Sequence, residues 1–127
     1  MADPQLSPAA QAALDLIRRH RTGTSFVEVV GAIDAAGVPT DGEAALCSSR
    51  DPNILYWVGV SSEVVDAVTE LLRAKLVHLH PTEPLVYHID GQVPMFPIAQ
   101  RPPSAGYKEP HWLPAVLNAG PAPQQGI

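Results

Sequence analysis

Leu76-Val77-His78-Leu79-His80, a break at Pro81-Thr82-Glu83-Pro84, then Leu85-Val86-Tyr87-His88-Ile89-Asp90 is the stretch on which the fold turns. Before Lys75 the apolar residues recur with the 3.6-residue period of a helix, and after it they alternate with a period of two. Alternation on both sides of a proline-containing break predicts a β-hairpin. Pairing Leu79 with Tyr87 puts Val77, Leu79, Leu85, Tyr87 and Ile89 on one face, and His78, His80, Val86, His88 and Asp90 on the other. A one-residue slip would mix the two sets, so this register is expected.

Working upstream, Val64, Val65, Val68, Leu71 and Leu72 form one apolar stripe, which predicts a helix capped by Ser61 or Ser62. Its outward residues are Ser62, Glu63, Asp66, Glu70 and Arg73, a mainly acidic face. Ile54 to Val58, between Pro52 and Gly59, reads as a short strand. Val38 to Pro52 is rich in turn formers, with Thr40 and Glu43 suited to cap at most one helical turn over Ala44, Ala45 and Leu46. Ser25 and Glu28 make a capping box for a helix that buries Phe26, Val29, Val30 and Ile33 and stops before Gly37. A first helix runs from Pro8 to Arg21, with Ser7 as cap and Ala10, Ala13, Leu14 and Ile17 inward. Arg18, Arg19, His20 and Arg21 sit at its end, where positive charge complements the macrodipole.

Downstream, prolines from Pro94 to Pro123 predict an extended tail. Its one apolar island, His111 to Leu117, is expected to dock on the domain or on a partner. Trp112 and Leu113 are the candidate anchors for the second case.

The chain has 127 residues, enough for one core. No apolar run is long enough to span a membrane, and Met1 to Gln5 lacks the basic flank and apolar core of a signal peptide, so a cytoplasmic protein is expected. Cys47 is the only cysteine, which excludes an intramolecular disulfide and a cysteine-rich zinc site. It is read as a small half-buried residue, and Tyr56 and Trp57 as core aromatics. The glycines show no phosphate-binding spacing and the serines no nucleophile elbow. No enzymatic activity, cofactor or small-molecule substrate is expected. His78, His80 and His88 share the polar hairpin face and are the candidate metal ligands, with a solvated surface as the competing reading.

The order helix, helix, short strand, helix, hairpin resembles the winged helix-turn-helix superfamily over about residues 8–90. Val60 to Val77 is similar to that family's recognition helix running into its first wing strand. The resemblance implies an α+β domain, a three-helix bundle with a β-hairpin wing, between an N-terminal arm (1–7) and a proline-rich extension (91–127). It also implies DNA binding, with the third helix in the major groove and the wing on the backbone. Two features depart from that pattern. About twenty residues separate the second and third helices, where the family commonly has a short turn. Glu63, Asp66 and Glu70 would also be pressed towards phosphates.

The net charge of −5 requires any DNA contact to come from a local patch. Arg18, Arg19, Arg21, Arg50, Arg73 and Lys75 are the candidates. Two readings follow: a DNA-associated regulator of transcription or another DNA-directed process, and a protein-interaction or dimerisation module. The second would use the acidic Glu63, Asp66 and Glu70 face or the segment at Trp112.

Overall fold

Helix α1 (Pro8–His20) starts on Ser7, whose hydroxyl accepts from the Ala10 N–H at 3.2 Å, and it buries Ala9, Ala10, Ala13, Leu14 and Ile17. The computed structural model describes residues 5–90, 96–99 and 106–122; the side chains of residues 88–90 lie outside that description. Helix α2 (Phe26–Ala35) opens with the expected capping box. The Ser25 hydroxyl accepts from Glu28 N–H at 3.1 Å, and the Glu28 carboxylate accepts from Ser25 N–H at 3.0 Å. It closes at Gly37, whose φ of +84° suits a residue without a Cβ.

Residues 41–47, expected to be turns, are instead strand β1 (Asp41–Cys47), paired antiparallel with β2 (Ile54–Val60) through several bulges. Ala44, Ala45 and the Asp-Gly-Glu start carry weak strand propensity, so the local signal was poor. The pairing depends on Gly42, where a Cβ would meet the Val60 carbonyl oxygen at 2.7 Å. Helix α3 (Ser62–Arg73) follows at once. Its cap, Ser61, accepts from Val64 N–H at 3.2 Å and donates to the Pro39 carbonyl at 2.7 Å, which ties the end of α2 to the start of α3.

The hairpin forms with a different partner. Strand β3 (Val77–Pro81) is where the alternation put it, but Leu85–Asp90 is a short helix, α4, and the Leu79–Tyr87 pairing does not exist. After α4, β4 (His111–Trp112) adds parallel to β2, and β5 (Ala115–Ala119) pairs antiparallel with β3, with Leu79 opposite Leu117. Thr24 exchanges backbone hydrogen bonds with Leu117 on the other side of β5, at 3.1 and 2.8 Å. The strand latest in the chain therefore lies between Thr24 and β3.

Pro84 explains part of the change, since its fixed φ suits a helical first turn, and Tyr87 explains the rest. Its ring is fully buried, and its hydroxyl accepts from Phe26 N–H at 3.1 Å and donates to the Ala115 carbonyl. Phe26 lies in the first turn of α2, where the helix itself offers no partner for that N–H. Around Tyr87 the rings stack in series: Phe26 on Trp57 at 5.9 Å, Trp57 on Tyr87 at 4.9 Å, and Tyr87 edge-on to Trp112 at 5.5 Å. Trp112 and Leu117, assigned to an extended tail, are 1% and 0% exposed in the same core as Leu14, Ile33 and Leu71. The packing therefore does not end at residue 90. Of the expected tail, residues 91–95, 100–105 and 123–127 lie outside the description, as do residues 1–4 of the arm. The molecule is a mixed α+β structure.

Replacing Tyr87 by Phe keeps the ring and strands Phe26 N–H and the Ala115 carbonyl. Chemical denaturation should show a loss of about 1–3 kcal/mol with an unchanged m-value.

Candidate functional site

The outer side of α3 is acidic. α3 buries Val64, Ala67, Val68 and Leu71, and this leaves Glu63, Asp66 and Glu70 on its outer side as the stripe predicts. These carboxylates line a depression beside Ser7 and Pro8 at the start of α1. Glu70 is already engaged there, accepting from the Ser7 N–H and hydroxyl at 3.2 Å each. A carboxylate at that position also complements the positive end of the α1 dipole. Part of the acidic face is thus a contact between helices.

Two further grooves flank β3, and no carboxylate lines either of them among the described residues. One, of about 510 Å³, is bordered by Leu72, Lys75, His78, Leu79 and Pro121. The other, of about 450 Å³, lies between β1, α3 and β3 and has Arg73 in its wall and Ser49 at its margin. They meet at Leu72 and Leu79, which line both.

The six candidate cations are all exposed, and they fall into two sets. Arg21 and Lys75 come to the same turn. The Arg21 carbonyl accepts from Ala119 N–H, and the Leu76 carbonyl, next to Lys75, accepts from Gly120 N–H, each at 2.7 Å. Arg18 and Arg19 occupy the last turn of α1, just before Arg21. Arg73 and Arg50 belong to the second groove, Arg73 in its wall and Arg50 beside Ser49.

Arg21 and Lys75 share one more property. Among the described residues they are the two non-glycine residues with positive φ, at 68° and 58°. Lys75 holds the left-handed position that ends α3, where its N–H donates to the Leu72 carbonyl and Leu76 N–H to the Leu71 carbonyl, both at 3.1 Å. Glycine is the residue usually found there, because a Cβ costs about 1 kcal/mol. Strain of this kind is retained where the side chain serves a purpose. A purely structural purpose is available to Arg18 and Arg19, which offset the carbonyl end of α1. Arg21 likewise ends a helix, its N–H donating to the Ile17 carbonyl at 2.8 Å, so both positive-φ cations stand at helix C-termini.

The remaining candidates separate. His78 directs Nδ1 at the Gly120 carbonyl, 3.0 Å away, and His80 is exposed, while the side chain of His88 lies outside the description. Among the described residues no three His, Cys, Asp or Glu side chains gather as a metal site would require. Trp112, a candidate partner anchor, is instead a core residue, and Leu113 is half-buried with its N–H bonded to the Leu55 carbonyl at 2.9 Å. Cys47 is exposed, not half-buried, because it falls on the outward side of an edge strand. Trp57 is in the core, and Tyr56 is half-buried on the wall of the second groove. That groove was not legible in the sequence, because β1 and the pairing of β3 with β5 both had to be known first. No helix among the described residues is long and apolar enough to cross a membrane. No family model, curated protein or solved structure matches the chain.

Two outcomes distinguish structural from functional roles. Lys75→Gly should raise stability by about 0.5–1 kcal/mol in denaturant melts, as expected of a strained position kept for its side chain. Trp112→Ala should lower it by about 3–5 kcal/mol, where an intermolecular anchor would leave the unfolding midpoint unchanged.

Proposed function

We propose that this chain is a non-enzymatic winged-helix protein that associates with DNA through the end of α1 and the Lys75 turn, and not through α3. The winged-helix reading draws on the way the strands close over α1, α2 and α3. A residue from before α2, Thr24, and two strands from after α3 lie side by side in the order Thr24, β5, β3. On this reading the β1–β2 hairpin is an insertion in the helix-turn-helix, and β3 and β5 are the strands of the wing.

The observation that carries the choice of surface is the convergence of Arg21 and Lys75 on the Ala119–Gly120 turn, with Arg18 and Arg19 adjoining. Two exposed cations at one turn, with two more in the last turn of α1, suit backbone phosphates, while the carboxylates of α3 repel them. Contacts of this type carry no base readout. They give sequence-independent association whose specificity must come from another component.

The test is fluorescence anisotropy of a duplex oligonucleotide titrated at several salt concentrations. Binding in the range of about 10⁻⁵ M at low salt is expected, weakening steeply as salt is added. Arg21→Gln and Lys75→Gln should each reduce the salt slope by about one, and Glu63→Gln should not. Absence of any anisotropy change at tens of micromolar protein in low salt rejects the reading.

A second reading, a protein-interaction module, is favoured by one specific observation: the groove between β1 and β3 is walled largely by apolar side chains, which phosphates do not satisfy.

A further inference from the structure

An outer strand of each of the two sheets contributes residues to the same groove. In the order β1-β2-β4, β1 is an outer strand, and β3 has β5 on one side and no strand on the other among the described residues. The groove of about 450 Å³ runs between these two strands: Leu46 and Cys47 of β1 line one bank, Leu79 of β3 the other, and Val65, Thr69 and Leu72 of α3 the floor. Outer strands present unsatisfied N–H and C=O groups, which extended peptides pair with readily.

We infer that this groove takes a short extended segment of a partner protein, carrying a carboxylate, as a strand added at the outer edges of β1 and β3. Main-chain hydrogen bonds to the strand edges hold the segment, and alternate side chains enter the apolar floor between Tyr56 and Leu72. The charge of the occupant is set by the walls. Among the described residues Arg73 is the one charged residue lining the groove and no carboxylate lines it; Arg50 follows Ser49 at its margin, and Asp66 and Glu70 lie with Arg73 in a separate depression outside it. A guanidinium beside apolar walls selects a carboxylate over a lysine and favours paired geometry. A nucleic-acid strand would leave the apolar floor unused. The inference does not draw on Arg18, Arg19, Arg21 or Lys75, so it stands or falls separately from the DNA reading.

Cys47 supplies the readout, since it is exposed, lines the groove and is the only cysteine in the chain. The full chain is treated with iodoacetamide in the presence of a pentapeptide of alternating valine and threonine ending in glutamate. The peptide should slow Cys47 alkylation by roughly tenfold at ten times its dissociation constant. The same peptide ending in an amidated lysine should not slow it. In Arg73→Glu the preference should invert, the lysine peptide protecting and the glutamate peptide losing about tenfold in affinity. A short DNA duplex should leave the rate unchanged in both proteins. In labelled protein, amide shifts induced by the glutamate peptide should centre on Ala45 to Cys47 and on Leu79. If that peptide leaves the alkylation rate unchanged at millimolar concentration, or protects Arg73→Glu equally well, the inference is overturned. Protection by the duplex with no protection by the peptide overturns it too, without touching the DNA reading.

Discussion

The Tyr87 hydroxyl sits between the Phe26 N–H, from which it accepts, and the Ala115 carbonyl, to which it donates. These groups are 61 and 28 residues away along the chain, so one fully buried oxygen joins the first turn of α2, the short helix α4 and the start of β5. Each of those backbone groups would otherwise be buried without a partner, which costs more than the bond itself gains. The ring continues the same linkage sideways, because Trp57 and Trp112 pack on it and thereby fix β2 and β4. Tyr87 thus adds a side-chain link to the main-chain bonds by which β5 joins β3, Thr24 and Arg21.

That link connects the core to the surface. The loop between β1 and β2 makes a second attachment. Asp51 accepts from the N–H groups of Asn53 and Tyr107, at 2.9 and 2.8 Å, and the Asn53 amide donates to the Tyr107 carbonyl. Tyr107 in turn stacks on His111 at 3.8 Å, just where β4 begins. The residues just before β4 are thus held against the loop between β1 and β2. The N–H groups of Ala119 and Gly120 donate to the carbonyls of Arg21 and of Leu76, next to Lys75, whereas Glu63, Asp66 and Glu70 stand on the outer side of α3. A chain with a net negative charge can in this way present two faces of unlike character.

The parts of this arrangement that could be read from the residues are those fixed by neighbours in the chain. Ser7, Ser25 and Ser61 announce α1, α2 and α3, and the apolar stripes of those helices face inward as their spacing requires. The period of two at Val77 to Pro81 also names a strand correctly. It does not name the partner, because alternation fixes which way side chains point and says nothing of what lies alongside. Leu85 to Asp90 had the right pattern and the nearest position, yet Ala115 to Ala119 took the place once Tyr87 could bury its ring and satisfy its hydroxyl. Tertiary packing outweighed strand propensity there. β1 failed for the opposite reason. Its residues are poor strand formers, and only Gly42's close approach to Val60 makes the pairing fit. The six cations were identifiable one by one, but their division between two surfaces depends on β5, and so was hidden.

The central place of β5 also bears on how the molecule is made. Thr24 and β3 emerge from the ribosome long before Leu117, and until it arrives both lack the strand that lies between them. Helices α1, α2 and α3 can pair early through local contacts, whereas the last sheet closes only by a long-range step, which is intrinsically slow. During that interval the floor destined for Trp112 and Leu117 stands open to other chains. Synthesis therefore passes through a stage in which an apolar cleft awaits a strand from its own polypeptide.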